Sequence, residues 1–558
     1  MTARPSPAPP AGPATDVGVL RRDLGAARFT VDGVGDLLGD VAGAALHREQ
    51  RVPALRLARG VDSPAATLVR LFMLGDEVTT AELTAALPGT GPAGAQALGL
   101  VARAGAGHAD PVRATVDLRP YAAADAAGAA HWWVASDLGE VSTGTSLRAD
   151  HVLGIGGAST TLAQLTVRDP RPRVLDLGTG CGVQALHAAR HSEHVVATDI
   201  SARALGFAAF NAALAGTDLD LRRGSLLEPV AGEAFDLVVS NPPFVITPTA
   251  AYEAGLPLME YRDGGRGGDL LVHELITAVG AHLAPGGVAQ LLGNWEHHGR
   301  EDWRDRVLGW LAASGLDGWV VQREVQDPAE YAELWLRDGG LRPEVDRPGY
   351  EAAYAAWLGD FETRGVEAVG FGYVLLRRPG HAGRPWHRVE EVSGPVRQPL
   401  GQHVLDVLAA RDWLAERGVP DGGAPSARVP DDGGAPGDRV PAGGGTPSAR
   451  VPAGARGLTV LADHRFAVAP DVTEERFLTP GASDPQVIQL RQGGGLGRVV
   501  RPGTLVAGAV GACDGELTLG QIIGGLAALL DLRADDVAAE VLPAARELLL
   551  DGFLRPVS

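Results

Sequence analysis

Short apolar runs alternate with helical segments from residue 174 to residue 292, and this rhythm constrains the fold more than any other feature. The runs predicted as strands are 174–177, 195–199, 219–223, 235–239 and 288–292. Parallel strands need long crossover connections, usually helices, so the alternation predicts a mostly parallel α/β sheet. Runs at 319–321 and 371–376 complete seven strands, with a helical insertion containing Tyr331 and Trp357 between them.

The first predicted strand leads into a glycine-rich loop that opens a helix. Glycines at such a junction let the backbone approach a ligand closely. A dinucleotide-binding loop would place its third glycine at Val183, whereas this loop reads Gly-x-Gly-x-Gly after an acid. The spacing therefore favours S-adenosylmethionine over NAD as the cofactor. The residues predicted to line this part of the cofactor site are Asp176, Gly178, Thr179, Gly180 and Gly182.

A second acid, Asp199, ends the next predicted strand. We expect its carboxylate to accept both ribose hydroxyls of the cofactor, as an acid at this position does in nucleotide-binding folds. Ile200, directly after it, is predicted to contact the cofactor as well. Asp176 is expected to hold the ammonium group of the cofactor through a charge-assisted contact or a water molecule.

The fourth predicted strand ends in Ser-Asn-Pro-Pro-Phe, residues 240–244, which is the most diagnostic run in the chain. An amide or exocyclic amine nitrogen is a poor nucleophile, because its lone pair is shared with a neighbouring π system. Asn241 offers a side-chain acceptor for one hydrogen of such a group and the Pro242 carbonyl offers another, while Phe244 covers its plane. Because prolines fix the turn, the run predicts methylation of a planar nitrogen, with Asn241, Pro242 and Phe244 as catalytic residues. Asn241 is also predicted to contact the cofactor, whose sulfonium is expected beside this strand tip.

These features resemble the class I methyltransferases, and specifically the N-methyltransferases that carry Asn-Pro-Pro-Tyr or Asn-Pro-Pro-Phe. The resemblance covers residues 153–378 and implies a Rossmann-like sheet whose last strand is antiparallel and inserted beside the fifth. That family commonly places an acid after the third strand to receive the adenine amine. Here Ser225 and Leu226 occupy that loop, and Ser225 is expected to substitute through its hydroxyl.

Two features resemble the glutamine methyltransferases in particular, namely the run NPPFVITP at 241–248 and the glycine loop at 263–268. They predict methylation of a protein glutamine side chain, with a translation factor as a possible acceptor. Phe244 stands where that group usually has Tyr, and Phe is familiar in RNA enzymes. Methylation of a ribosomal RNA base, at guanine N2 or adenine N6, therefore remains an alternative. A cofactor-binding regulatory protein without catalysis is an alternative of another class.

The flanking segments predict additional modules. A capped helix at Thr79 followed by a hairpin between Val101 and Leu118 gives the element order of a winged helix, a fold used for nucleic-acid binding or for protein recognition. The predicted divisions are a disordered start at 1–15, a winged-helix-like domain at 16–120, the methyltransferase domain at 121–380, a helical extension at 381–417, a low-complexity linker at 418–457 and a winged-helix-like or peptide-recognition domain at 458–558.

Composition excludes several functional classes. The net charge of −19 argues against a chain-wide surface for nucleic acid, because such affinity rests on Lys and Arg neutralising phosphates. Two cysteines are too few for a disulfide framework or a cysteine-rich zinc site, and no metal site is predicted. No stretch supplies the roughly 20 apolar residues of a membrane span, so a cytoplasmic protein is expected. The sequence leaves the oligomeric state open.

Overall fold

The computed structural model describes residues 7–125, 128–144, 147–380, 384–419 and 455–557. The chain forms two compact units, Met1–Glu391 and Val392–Ser558. Residues 420–454 of the predicted linker, and residues 1–6 of the predicted disordered start, lie outside the described residues. In the part of the chain that the structure describes, no helix combines the length and the apolar character that crossing a membrane requires.

The first unit begins with helices and a small antiparallel sheet. The helices are α1 (Ala14–Ala26), α2 (Val31–His47), α3 (Val52–Arg59), α4 (Pro64–Leu68), α5 (Thr80–Ala86) and α6 (Gly91–Ala97). The strands β1 (Val78–Thr79), β2 (Val101–Arg103) and β3 (Pro111–Ala114) lie in the order β1-β3-β2. Thr79 and Glu82 form a reciprocal capping box at the start of α5, which explains why the helix begins there. The expected hairpin is β2 with β3, and the winged-helix assignment stays a prediction.

A long hairpin connects this part to a central sheet of eight strands, counted over the described ranges. The hairpin consists of β4 (Asp117–Asp125) and β5 (Gly128–Ser136). The strands of the sheet are β6 (Arg171–Leu177), β7 (Ser192–Asp199), β8 (Asp220–Arg223), β9 (Phe235–Ser240), β10 (Leu283–His298), β11 (Asp317–Gln326), β12 (Val366–Arg377) and β13 (His387–Glu391). They lie in the order β13-β11-β12-β10-β9-β6-β7-β8.

The strand order confirms the predicted class I methyltransferase sheet. Strand β12 runs antiparallel to both of its neighbours and lies beside β10, the fifth predicted strand. The other pairings in this sheet are parallel. Carboxyl ends of the parallel strands therefore meet at one edge, which is where such folds bind ligands.

One strand of the sheet was not predicted from the sequence. The stretch 381–417 was predicted to be a helical extension, and its residues Gly401–Glu416 are helical, but its residues His387–Glu391 form β13, which pairs with β11. The run reads His-Arg-Val-Glu-Glu and has a single apolar residue. Edge strands often carry charged side chains, and here these remove the apolar alternation by which a strand is predicted. At its start the backbone amide of Trp386 donates to Asp317, 3.2 Å away, and Asp317 also forms a buried ion pair with Arg377.

Helices cover both faces of the sheet. They are α7 (Glu140–Thr143), α8 (Gly157–Leu165), α9 (Val183–Ala188), α10 (Ala202–Ala215), α11 (Thr249–Glu253), α12 (Leu270–Ala278), α13 (Trp303–Ser314), α14 (Pro328–Asp338) and α15 (Arg347–Arg364). The helical insertion predicted between the last two strands is α14 with α15. Its Tyr331 and Trp357 are fully buried, as expected of large aromatic side chains that anchor an insertion.

The N-terminal helices share one hydrophobic core with the β4–β5 hairpin and with helices α9 and α10. Leu24 on α1 and Phe207 on α10 belong to the same cluster of buried side chains. The Trp133 indole on β5 donates a hydrogen bond to the Phe29 carbonyl, 2.5 Å away. The domain boundary predicted between residues 120 and 121 falls inside β4, because the hairpin continues the core instead of ending it. Residues 16–120 therefore belong to the same compact unit as the central sheet and pack against its helices α9 and α10.

The second unit is smaller and contains helices and short strands. Its helices are α16 (Gly401–Glu416), α17 (Thr504–Gly511), α18 (Leu519–Leu530) and α19 (Ala534–Leu550). Its strands are β14 (Arg465–Val468), β15 (Val472–Phe477), β16 (Val487–Gln492), β17 (Val499–Val500), β18 (Asp514–Thr518) and β19 (Leu554–Val557). They form two small sheets, β18-β14-β19 and β15-β16-β17. Its identification as a winged-helix or peptide-recognition domain stays a prediction.

The shared core predicts that damage on α10 destabilises the whole first unit. We expect Phe207→Ala to lower the free energy of unfolding by about 3–5 kcal/mol, because the ring is fully buried and leaves a cavity. Tryptophan fluorescence in urea measures this, since all tryptophans except Trp413 lie in Met1–Glu391. The exposed Phe477 provides a control, and Phe477→Ala should change the same transition by less than about 0.5 kcal/mol. A Phe207→Ala transition equal to wild type would contradict the shared core.

Candidate active site

The predicted site residues gather at the carboxyl edge of the central sheet. Asp176 lies one residue before the end of β6, Asp199 is the last residue of β7, and Asn241 follows the last residue of β9. Strand β6 pairs directly with β7 on one side and with β9 on the other. The sheet thus brings three side chains, separated by up to 65 positions in the sequence, to three adjacent strand ends.

The glycine loop after β6 is held by backbone and carboxylate hydrogen bonds. The amides of Gly178 and Thr179 both donate to the Thr198 carbonyl on β7, each at 2.9 Å. Asp176 Oδ2 accepts from the Thr179 hydroxyl at 2.5 Å and from the Ala185 amide at 2.9 Å. Asp176 is almost fully buried, and this burial raises the pKa of its carboxyl group to about 7. Within the protein, Asp176 therefore orders the loop and the start of α9.

Asp199 links the same loop to the neighbouring strand. Its Oδ2 accepts a hydrogen bond from the Gly180 amide at 2.9 Å, and its Oδ1 accepts one from the Ser201 amide at 2.8 Å. Burial raises the pKa of the Asp199 carboxyl group, against the opposing effect of these backbone donors. The two acids predicted from the sequence are thus joined through one loop.

The glycines of the loop fall into two kinds. All three adopt positive φ, at +73° for Gly178, +55° for Gly180 and +89° for Gly182. A Cβ atom at Gly178 or Gly180 would meet nothing within 4 Å, whereas one at Gly182 would lie 3.1 Å from Ala208 on α10. The first two glycines therefore leave open space over the loop, and the third permits close packing of the helix. Such a cradle fits the methionyl part of S-adenosylmethionine.

The remaining predicted cofactor residues lie in loops beside the tip of β7. The Ile200 side chain is 58% exposed although it is apolar, and its carbonyl accepts from Arg223 Nε at 3.1 Å. Ser225 and Leu226 follow β8, and Leu226 adopts a left-handed φ of +47°. The Gly224 amide donates to the Asp199 carbonyl at 3.1 Å, which fixes this loop next to the acid. Leu226 packs partly against the hydrophobic core, whereas Ile200 is exposed beside the end of β7.

Asn241 begins a rigid turn and has an unpaired side-chain oxygen. The Ser240 hydroxyl just before it donates to the Leu177 carbonyl at 2.7 Å, which ties the ends of β9 and β6 together. Asn241 Oδ1 is buried and has no hydrogen-bond partner among the described residues. Leaving a buried acceptor unsatisfied costs about 1–3 kcal/mol, so this oxygen is a candidate acceptor for a donor from a ligand. Pro242 is buried beside it.

The glycine loop at 263–268 packs against this turn. Phe244 forms an isolated β-bridge with Asp263, and the Val245 amide donates to the Arg262 carbonyl at 3.1 Å. Asp263 Oδ1 accepts from the Thr247 hydroxyl at 2.7 Å. Phe244 also meets Phe371 edge-on, with ring centroids 6.3 Å apart. The two motifs that indicated a glutamine acceptor are therefore in direct contact.

Two buried residues near the turn had no signal in the sequence. The Tyr331 hydroxyl, on α14, accepts from the Ile246 amide at 2.8 Å and from Asn294 Nδ2 at 2.9 Å. Tyr331 lies 85 positions after Ile246, within an insertion, so neither motif nor spacing connects it with the turn. Asn294 lies inside β10, two positions beyond the end of the strand predicted at 288–292.

The side chains of Cys181 and His187 are held in unreactive protonation states. Burial raises the pKa of the Cys181 thiol to about 11, so the thiolate is scarce at neutral pH. Burial lowers the pKa of His187 to about 3, and its ring contacts the Tyr121 hydroxyl at 2.9 Å. The described ranges contain no group of three or more His, Cys, Asp or Glu side chains arranged to hold a metal ion.

Comparison with protein families locates a methyltransferase domain on this geometry. Residues 154–306 match the family described as methyltransferase small domain. Residues 26–115 match a second family, described as a domain of unknown function, DUF7059. The first match covers α8 through β10, and thus every residue predicted to contact cofactor or acceptor.

Curated relatives are similar over the same region. A release factor glutamine methyltransferase of Deinococcus radiodurans is 40% identical over 133 residues, which are 22% of this chain and 46% of that protein. A ribosomal protein uL3 glutamine methyltransferase of Bradyrhizobium diazoefficiens is 33% identical over 190 residues, 31% of this chain and 57% of that protein. The chain thus spans about half the length of the curated relatives it matches.

Among solved structures, a ribosomal protein L11 methylase from Lactobacillus delbrueckii subsp. bulgaricus is 24% identical. The match covers 31% of this chain and 73% of that one, at a TM-score of 0.22. A methyltransferase from Pyrococcus furiosus is 16% identical, over 39% of this chain and 80% of that one, at a TM-score of 0.23. The fold assignment rests on the strand order and on the family match instead.

The buried acid under the loop predicts a pH-dependent stability difference. Because the folded protein raises the pKa of Asp176 from 3.8 to about 7, its ionised form destabilises the fold as pH rises through this window. We expect Asp176→Asn to stabilise the ligand-free protein by about 2–4 kcal/mol at pH 8, and by nothing measurable near pH 4.

Urea unfolding followed by fluorescence at several pH values checks this prediction. The exposed Asp218 supplies the control, and Asp218→Asn should shift stability by less than about 0.5 kcal/mol throughout. A stability gain from Asp176→Asn that is independent of pH, or a loss at pH 8, would show that the carboxylate is not strained by burial.

Proposed function

We propose that this chain is an S-adenosylmethionine-dependent N-methyltransferase that acts on the side-chain amide of a protein glutamine. The premise is a methyltransferase small domain on a class I sheet. The observation that supports the reaction most directly is the buried, unpartnered Asn241 Oδ1 at the tip of β9. It lies on the strand next to β6, whose loop leaves open space over Gly178 and Gly180.

The residues proposed to hold the cofactor surround that open space. Gly178, Thr179 and Gly180 would face its methionyl part, with Asp176 beneath them as the acid nearest its ammonium group. Asp199 would accept the ribose hydroxyls, for which its carboxylate is already held by two backbone amides. Ile200, Ser225 and Leu226 would border the adenine, with the Gly182 backbone packed behind the loop. When bound, S-adenosylmethionine supplies an electrophilic methyl group on a sulfonium sulfur.

The acceptor amide would be held by the turn after β9. Asn241 Oδ1 and the Pro242 carbonyl each accept one N–H of the amide, which fixes its plane and aims the nitrogen lone pair. Phe244 covers the plane from one side, and its own position is set by Phe371 and Asp263. The same Oδ1 that costs stability in the free protein gains its donor only when the acceptor binds.

The chemistry then requires orientation more than a strong base. The methyl group that bound S-adenosylmethionine would supply would add to the acceptor nitrogen, and the electron pair of the broken sulfur–methyl bond would stay on sulfur. The nitrogen releases one proton to water as the amide resonance is restored. Because positive charge disperses during the transfer, alignment and exclusion of water supply most of the rate enhancement.

A protein acceptor is supported by the relatives and by two local features. The relatives at 33–42% identity are named for methylation of glutamine in release factors or in ribosomal protein uL3. The run NPPFVITP and the glycine loop contact each other through Phe244 and Asp263, as two parts of one acceptor site would. A translation protein is therefore the acceptor class that we propose.

Asn241→Ala tests the role of the turn. We expect kcat to fall by about 100-fold or more, because both alignment of the nitrogen and acceptance of its hydrogen are lost. Affinity for S-adenosylmethionine, measured by calorimetry, should change by less than about threefold, since the residue holds the acceptor. Thr249→Ala, an exposed change eight positions along the chain, is the control and should leave both values unchanged.

Acceptor class is tested by incubating the wild-type protein with lysate and methyl-labelled S-adenosylmethionine. We expect label in a protein band that protease removes and RNase leaves intact. Label lost to RNase would replace the protein acceptor with RNA. Calorimetric cofactor binding without label in any fraction would instead favour a regulatory binding protein.

A further inference from the structure

Helix α14 inserts one fully buried tyrosine toward the proposed acceptor site. The Tyr331 side chain has no exposed surface, and its hydroxyl accepts from the Ile246 amide at 2.8 Å. Asn294 Nδ2 donates to the same hydroxyl at 2.9 Å, and Asn294 is also fully buried. A hydroxyl held from two sides by strand and turn is fixed in position, because each buried bond that breaks leaves an unpaired donor.

The bond to Ile246 completes the support of the chain after the turn. Val245 and Thr247, on either side, are held by Arg262 and Asp263 of the neighbouring segment. Ile246 is held only from α14 among the described hydrogen bonds of its amide. Three successive residues, which begin two positions after Pro243, are thus fixed by two separate parts of the fold.

The Tyr331 ring also reaches Phe244 through one intervening aromatic ring. Its centroid lies 5.7 Å from that of Phe371, and Phe371 meets Phe244 edge-on at 6.3 Å. Phe371 lies directly opposite Asn294 in the pairing of β10 with β12. The Tyr331 hydroxyl and the Asn294 side chain that donates to it therefore form one connected cluster beside the turn with the rings of Tyr331, Phe371 and Phe244.

We infer that Tyr331, oriented by Asn294, is a positioning residue for methyl transfer, which acts by fixing Asn241 and Phe244 through Ile246 and Phe371. This inference rests on the proposed function. Its physical basis is that a displacement of about 1 Å in an aligned site lowers the rate by about 100-fold without any direct contact to the reacting atoms. Burial raises the pKa of Tyr331, so its hydroxyl stays protonated and has no role as a base.

Tyr331→Phe removes only the hydroxyl and keeps the ring. Amide hydrogen exchange followed by mass spectrometry should show about 10- to 100-fold faster exchange at Ile246, because that amide loses its acceptor. In the same variant kcat should fall by about tenfold or more, while the KM for S-adenosylmethionine should change by less than about twofold. A residue that merely stabilises the fold would not separate kcat from KM in this way.

Two further variants serve as controls. Tyr354→Phe removes another hydroxyl of the same insertion, one that donates to the Ala329 carbonyl at 3.1 Å, and should leave both exchange at Ile246 and kcat unchanged. Asn294→Ala should lower kcat less than Tyr331→Phe does. The double variant should match Tyr331→Phe alone, because Asn294 acts through the hydroxyl that is already missing.

The exchange measurement needs no methyl acceptor, so it separates this inference from the proposed function. Unchanged exchange at Ile246 in Tyr331→Phe would overturn the inference, whatever the protein methylates. Faster exchange with unchanged kcat would also overturn it, since the hydroxyl would then hold the turn without affecting methyl transfer. Absence of methyl transfer by the wild-type protein would overturn the proposed function, and with it the catalytic part of the inference.

Discussion

The hydrogen bond from the Gly180 amide to Asp199 connects the two strand ends on which the rest of the site depends. It requires a bare backbone at positive φ, an acid at the end of β7 and parallel pairing of β6 with β7. Asp176 also holds the loop, because its carboxylate accepts hydrogen bonds from the Thr179 hydroxyl and the Ala185 amide. Asp176 is buried and Asp199 is partly buried, and burial raises the pKa of each carboxyl group. The ligand-free protein therefore keeps two destabilised carboxylates, which the proposed cationic, ribose-bearing ligand would stabilise.

The turn after β9, on the acceptor side, also keeps a polar group unsatisfied in the ligand-free protein. Asn241 Oδ1 is left without a donor among the described residues, while the backbone around it is held at several points. Ser240 ties the turn to β6 before the prolines, and Asp263 and Tyr331 hold the chain after them. A rigid frame around one unsatisfied acceptor is what orientation of a weak nucleophile requires.

Much of this arrangement could be predicted from the sequence, because local patterns encode it. The apolar runs located seven of the eight strands described in the sheet, and the acids and Asn241 could be placed at strand tips from their positions alone. The order of the strands, with the last one antiparallel beside the fifth, came only from the resemblance to class I methyltransferases. Strand β13 could not, since a charged edge strand with only Val389 as an apolar residue lacks the periodicity that marks a strand. The boundary near residue 120 was also misplaced, because side chains from α1 and α10 share a core that no local pattern reveals.

The residues that hold the turn after β9 could not be predicted from the sequence for a similar reason. Tyr331 and Asn294 contact the turn only through long-range packing, and a buried polar residue inside an apolar strand or insertion has no local signature. The central claim is that the carboxyl edge delivers a methyl group to a glutamine amide. Tandem mass spectrometry of the labelled acceptor tests it most directly: the account predicts a methyl group on the side-chain nitrogen of a glutamine, present with wild type and absent with Asn241→Ala. A methyl group on an RNA base or on another side chain, or equal labelling by Asn241→Ala, would contradict the account.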